Sequence, residues 1–394
     1  MIEKAWLELH RDRLIEIRRW LHQHPELGFE EQETSEFIKE LLRKAGYKII
    51  QTDEMRTGFY CDYGSGETPI LAIRCELDAI PLFDAKTVPY RSRNVGVMHA
   101  CGHDVHMAIT IGLALEMAEN RPDFKGCVRF VFQPAEEKAP GGALAMIEGD
   151  AMEDVDHIIG FHVLPKLDTG KVGLRHGAMS AEVDVIDINL SGMGGHTSRP
   201  HQAVDLVAVA AQLVIALDEM ILHRIDRQKP AVLSFGSIEG GETFNVIPSK
   251  INLRGTLRYL HQEMKQELHT LIGEIIHNIA QSTGAKIEWR VPYMAPGIRN
   301  EEAITNLLIE AIQSTLGTDR LVYLEKASLA GEDFAYYLES VPGTYFRIGS
   351  SDGYFTDLHS IMFDVNEDCI FVALQVLGEF LHRYFNFPAK DPMA

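Results

Sequence analysis

Three histidines, a cysteine and an aspartate fall within the eight residues HACGHDVH at 99–106. Cys101 and His103 stand two apart across one glycine. In an extended or turn conformation that spacing aims both side chains at one point. Thiolate and imidazole together suit zinc and similar metals. The same pair could instead act as a nucleophilic thiol with a histidine base. A third reading is a capped turn around a buried cysteine, with Asp104 as the N-cap of a following helix. All three stay open on this stretch alone. FQPAEE at 132–137 ends an apolar strand pattern with Glu136 and Glu137 side by side. Adjacent carboxylates repel unless a cation divides them, and a metal can take one as ligand and leave the other as base. An exposed acidic turn is the alternative. GFHV at 160–163 puts His162 at the end of an apolar run, and TDLHS at 356–360 puts His359 in a polar loop. Single histidines in such places are more often hydrogen-bonded residues than ligands. SGMGGHTSRPHQAVD at 191–205 carries His196 and His201 on a glycine-rich turn, which reads either as a plain βα connection or as a histidine presented toward another part of the molecule.

These segments sit where elements meet. Residues 3–24 and 32–46 have apolar residues at helical spacing, the second run stopping at Gly46 as a C-cap. Short apolar runs GFYCDYG, PILAIRCEL, CVRFVFQP and HIIGFHV read as strands, with helical patterns at 104–119 and 141–149 between them. Strands alternating with helices argue for an α/β sheet covered on both faces. From 182 to 293 the order is βαββαβ, a split-βαβ unit that reads as a domain inserted into the first, since α/β patterns resume at 301. The expected organisation is a discontinuous catalytic domain, 1–181 and 294–394, around an inserted domain, 182–293.

At 394 residues two domains are the default expectation. A formal charge of −20, with no basic stripe, argues against a nucleic-acid partner. The N-terminus scatters charge without an apolar core, unlike a leader or anchor, and no apolar run approaches the ~20 residues that span a bilayer. Five widely spaced cysteines do not make a disulfide framework, so a reducing cytoplasm is the simplest location.

In order and spacing the motifs LHQHPELGFEE, HACGHDVHMA, FQPAEE, GFHV, GGHTSRPH, FNVIPSKINLRGTLR, GEDFAYYL and LHS cover essentially the whole chain. Together they resemble the M20 metallopeptidase and amidohydrolase family, and within it the N-acyl-amino-acid amidohydrolases, N-acetyldiaminopimelate deacetylases and plant auxin-conjugate hydrolases. The resemblance implies a zinc-peptidase-like mixed-sheet catalytic domain with an inserted ferredoxin-like lid. It also implies two divalent metals, among zinc, manganese, cobalt and nickel. Their ligands fall on Cys101, His103, Glu137, His162 and His359. Glu136 falls on the general base that takes a proton from a metal-bridging water, and His196 on the residue that meets the substrate carbonyl, often from a neighbouring subunit. Asn245 and Arg258 fall on positions expected to hold the substrate's carboxylate end. Asp78 is assigned an outer role, orienting a ligand or the base.

The implied reaction is cleavage of an N-acyl-L-amino acid, acetyl or aromatic, to amino acid and carboxylic acid. An N-acetyldiaminopimelate, dipeptide or auxin-type conjugate is the alternative substrate. In RCELDAIP, Cys75 and Glu76 stand where relatives usually carry Ala and Asp, and Thr197 and Ser198 replace a small pair after His196. His99 and His106 receive no role. The apolar helix over 202–224 and the lid's edge strands could form a homodimer surface, or could bury against their own sheet. A thiol hydrolase built on Cys101 leaves Glu136, Glu137, His162 and His359 unused. A binding protein without turnover is the other rival.

Overall fold

The computed structural model describes residues 2–354 and 356–386. Helices form where apolar spacing places them. Helix α1, Lys4–Gln23, buries Trp6, Leu7, Leu14, Ile17 and Leu21 along one face. Helix α2, Gln32–Lys44, is capped from outside, the Glu26 carboxylate accepting from the backbone N–H of Glu33 and Thr34 at 3.1 and 2.8 Å. It stops against Gly46, whose φ of +97° lets Tyr47 N reach back to Leu42 O. Helix α3, His103–Asn120, is buried from His103 through Met117. A helix apolar all round belongs inside, and α3 packs against α1, against the strand Ile70–Glu76 and against the C-terminal helix Asp368–Tyr384.

The chain divides into two compact units: Met1–Met179 with Ile298–Lys326 and Asp333–Ala394, and Ser180–Gly297 with Ala327–Glu332. The first holds an eight-stranded mixed sheet in the spatial order Ile49–Ile50, Phe59–Gly64, Cys127–Gln133, Ile70–Glu76, His157–Asp168, Gly343–Ser351, Val172–Leu174, Leu321–Tyr323. Ile70–Glu76 runs parallel to Cys127–Gln133 and to His157–Asp168, and Gly343–Ser351 is parallel to the latter. Phe59–Gly64 closes on Cys127–Gln133 antiparallel. Every residue of Ile70–Glu76 and Cys127–Gln133 is buried, as expected of mainly apolar strands covered on both faces, with Arg74, Glu76, Arg129 and Gln133 buried among the apolar residues. Their parallel register, Glu76 opposite Gln133, delivers the loops after both strands to one sheet edge.

The second unit is βαββαβ in chain order: Glu182–Ser191, helix Leu206–Arg224, Ala231–Glu239, Lys250–Tyr259, helix Met264–Thr283, Lys286–Arg290. Its sheet is antiparallel, with Glu182–Ser191 and Lys250–Tyr259 central and Ala231–Glu239 and Lys286–Arg290 outside them. Both helices press Leu213, Leu217, Leu268 and Ile272 onto Ile186, Ile188 and Leu253. The unit is wider than the expected 182–293. Ala181 N bonds Ser328 O at 2.9 Å, and Ser180 bridges Ser328, which carries residues 327–332 into it.

One sequence expectation needs correcting. Helix Leu206–Arg224 has the length and apolar composition to cross a membrane, at a mean hydropathy of 1.8 over its most apolar window. It lays one face, Leu206, Val209, Ala210, Leu213, Leu217 and Met220, into the second unit's core.

Candidate metal centre

The loop 99–102 meets α3 at a glycine that no other residue could replace cheaply. Gly102 has φ +90°, and a Cβ there would lie 2.5 Å from Val163 Cγ2. This left-handed residue is the N-cap, so α3 begins at His103 and Asp104 lies inside its first turn. The expectation that Asp104 caps the helix is therefore wrong. Its carboxylate turns instead to α1, with Oδ2 2.8 Å from Arg18 Nε and 2.7 Å from His22 Nδ1. Although burial opposes the charge, Arg18 and His22 hold that carboxyl well below its usual range.

Six of the sequence-expected residues come together at the sheet edge. Cys101 Sγ lies 3.2 Å from His162 Nε2, and these two with His103 place donor atoms within 4.8 Å of one another. Cys101 forms a second such group with Glu137 and His359, and His103 a third with Glu136 and Glu137. His359 Nε2 donates to Glu137 Oε1 at 3.0 Å, and His103 Nε2 is 3.8 Å from Glu136 Oε2. His359 reaches the group from a left-handed turn of φ +61°, tied by its N–H to Ala100 O at 2.8 Å.

The ring orientations leave lone pairs inward. His103 Nδ1 donates to Asp78 O at 2.8 Å, while its buried Nε2 has no hydrogen-bond partner among the described residues. His162 Nδ1 donates to Val163 O at 2.7 Å, which turns Nε2 toward Cys101. Burial, then the neighbouring His106 and Arg347, hold His162 well below its ordinary pKa and so neutral. Burial also pushes the Cys101 thiol well up, which is unfavourable for a free nucleophilic thiolate. Around His103 burial favours neutrality, but Glu76 and the neighbouring Asp78 and Cys101 outweigh it and raise the pKa well above the usual range. Anions that favour a proton there favour a cation equally. Glu137 is lowered despite burial, by His359 and then His103, and the same hydrogen bond raises His359. A soft thiolate, three imidazoles and a carboxylate, with one buried imidazole nitrogen unpartnered, are a donor set that fits divalent metal.

Buried side chains behind the donors fix them. Asp78, fully buried, accepts from Glu137 N through Oδ2 at 2.9 Å while its backbone carbonyl orients His103. His106 and Glu76, which the sequence left without roles, form a second brace. His106 Nδ1 donates to Glu76 Oε2 at 2.7 Å, and its Nε2 accepts from Val163 N at 3.0 Å, the residue after His162. Both ring nitrogens are thus occupied, which removes His106 as a ligand. Arg74 pairs with Glu76 and, at 2.6 Å, with Asp333. Only Glu76 standing in place of the usual Asp hinted at this brace in the sequence.

The other expected residues lie in the second unit. His196 pairs in register with Val246 in a two-stranded ribbon, exposed, its Nδ1 accepting from Ser198 N at 3.1 Å. Asn245 is beside it, its carbonyl accepting from Thr197 N at 3.2 Å. Arg258 sits on the central strand Lys250–Tyr259, where Nη1 donates to Leu329 O at 2.5 Å.

Comparison with known proteins shows the family to which the chain belongs. The family described as peptidase family M20/M25/M40 matches residues 72–383. The N-acetyl-L-cysteine deacetylase of Bacillus subtilis (strain 168) is 38% identical over 94% of this chain and 88% of its own length. The N-acetyldiaminopimelate deacetylase of Anoxybacillus flavithermus (strain DSM 21510 / WK1) is 32% identical over 96% of this chain and 99% of its own. Among solved structures, the YXEP protein of Bacillus subtilis, described as a dinuclear metal-binding peptidase from the M20 family, superposes with a TM-score of 0.85. It is 32% identical and covers 98% of this chain and 100% of its own.

Proposed function

The chain belongs to peptidase family M20/M25/M40 and is a metal-binding hydrolase of amide bonds; within that class we propose that it cleaves N-acyl-L-amino acids, acetyl before aromatic acyl, to a free amino acid and a carboxylic acid. The observation that carries this reading is the convergence of Cys101, His103, Glu137, His162 and His359 beside Glu136, with His103 Nε2 buried and unpartnered. We assign those five as ligands of two divalent metals. When bound, such metals supply Lewis acidity to an amide carbonyl and lower the pKa of a water.

The chain's own residues do the rest. Glu136 stands next to a ligand without being assigned as one. It takes the proton of the attacking water and passes it to the leaving nitrogen. Asp78 and the Glu76–His106 brace keep the ligands from rotating away. His196 supplies a donor to the carbonyl oxygen as negative charge develops there. Arg258 and Asn245 hold the α-carboxylate of the amino-acid half. The deacetylase relatives favour a small acyl group, and those acting on N-acetyldiaminopimelate make that compound the first competitor.

We assign a reducing, cytoplasmic location on the five free, buried cysteines. We assign a homodimer to the second unit, whose outer strand exposes Val232 and Ile238 and whose first helix exposes Val207, Ile215 and Leu222. The test of function is a hydrolysis screen of N-acetyl and N-benzoyl amino acids, N-acetyldiaminopimelate and dipeptides on metal-reconstituted protein. Turnover confined to acyl amino acids is expected. A preference for dipeptides, or full activity after chelation, would overturn the assignment.

A further inference from the structure

The segment HPELGFEE at 24–31 supplies none of the donors above. It nevertheless touches both loops that carry them. Glu26 O accepts from Ala79 N at 2.8 Å, one residue past Asp78. Gly28 lies so close to the other loop that a Cβ on it would stand 2.9 Å from Ala135 Cβ and 3.0 Å from Ala135 Cα. Glu31 is fully buried, its Oε1 accepting from Ala135 N at 2.8 Å and its Oε2 from Thr57 Oγ1 at 2.6 Å. Thr57 is itself held, its carbonyl accepting from Ser35 Oγ of α2 at 2.7 Å.

Ala135 immediately precedes Glu136 and has φ +47°. An alanine adopts the left-handed region only where its surroundings impose it. Here they do so on both sides of the peptide unit. Glu31 takes its N–H, and Gly142 N donates to its carbonyl at 3.0 Å. Without the carboxyl, the Ala135 N–H would be buried without a partner and the turn would lose the contact that selects it.

We propose that Glu31 is a positioning residue for Glu136: its carboxyl fixes the left-handed turn at Ala135 and so sets the direction in which the Glu136 side chain leaves the backbone. This rests on the reading of Glu136 as the base. Glu31 acts through hydrogen-bond acceptance alone, so a neutral acceptor of the same length does the same work. Among the described residues its side-chain hydrogen bonds go to Ala135 N and Thr57 Oγ1 and to none of the assigned ligands, so metal content is expected to be kept without it.

The test compares Glu31→Leu with Glu31→Gln on metal-reconstituted full-length protein, measuring kcat, KM, metal content and melting temperature. Displacing a catalytic group by an ångström can cost ~100-fold in rate, so Glu31→Leu is expected to lose roughly 10- to 100-fold in kcat with KM and metal content kept. Glu31→Gln should restore most of it, because its amide oxygen still accepts from Ala135 N. A purely structural role would lower the melting temperature but leave kcat per metal-loaded site unchanged, and that result overturns the proposal. Equal loss in both variants also overturns it. Should Glu31→Leu not fold, Thr57→Val removes only the second hydrogen bond. A lowered kcat at constant KM supports the role, and an unchanged kcat contradicts it. Glu136→Gln run in parallel separates the two claims. Its full activity would remove the base and this role together, whereas an inactive Glu136→Gln beside an unimpaired Glu31→Leu overturns the role alone.

Discussion

Cys101 joins two donor groups and sits 3.2 Å from His162, but its thiol is buried and pushed well up in pKa. It becomes a good ligand only with a cation beside it, so its substitution should be felt first in metal content. Asp78 acts one step further out, holding His103 by its carbonyl and the Glu137 backbone by its carboxylate. Asp78→Asn should therefore weaken metal binding by roughly 10- to 100-fold, measured by competition with a chelator, with Cys101 and His162 left in place. Glu31 carries a pH dependence of stability. Burial pushes its carboxyl from an ordinary 4.5 up to about 7. Between those values the folded protein keeps a proton that the unfolded chain has released, so stability falls as pH rises through that window. The loss is on the order of 3 kcal/mol and should be absent from Glu31→Gln, as denaturant titrations at pH 5 and pH 8 would show. An equal pH dependence in both proteins would refute this assignment.

Elements bring these residues together, and here the sequence was legible in part. Ile70–Glu76 and Cys127–Gln133 were readable because strands buried on both faces are mainly apolar, even with Arg74, Glu76, Arg129 and Gln133 among them. Their shared edge followed once both ended in polar loops. The start of α3 was misread: an acidic residue before an apolar helix looks like a cap, but Gly102 takes that place and Asp104 answers to Arg18 and His22, more than eighty residues earlier. The Glu76–His106 brace and the Glu31–Ala135 contact escaped for the same reason. Each joins residues distant in sequence, and neither leaves a periodic or spacing signal. Cys101, His103, Glu136 and Glu137 were legible because their chemistry is packed into short stretches. His162 and His359 became so only through the resemblance. At this scale Gly102→Ala is the sharpest perturbation, since it adds a left-handed alanine and a contact 2.5 Å from Val163. It should cost roughly 2–5 kcal/mol, read as a lowered denaturant midpoint, and should loosen metal because the assigned ligands Cys101 and His103 flank it.

For the whole molecule, bound metal and folding are linked. Metal held at 100 times its dissociation constant contributes about 2.7 kcal/mol, so chelation should lower the melting temperature of the wild type. Cys101→Ala should melt near the chelated wild type and respond little to chelator. The assigned dimer is checked by sedimentation: Ile215→Glu, placing a charge on the exposed face of the second unit's first helix, should yield monomer if that face is the contact. The proposed reaction is a metal-assisted amide hydrolysis with Glu136 as base. It is tested most directly by measuring turnover of an N-acetyl-L-amino acid and metal content together, for wild type and Glu136→Gln. Glu136→Gln is expected to fall roughly 10²- to 10⁴-fold in kcat at unchanged metal content. A Glu136→Gln protein that keeps its metal and hydrolyses at the wild-type rate would contradict it.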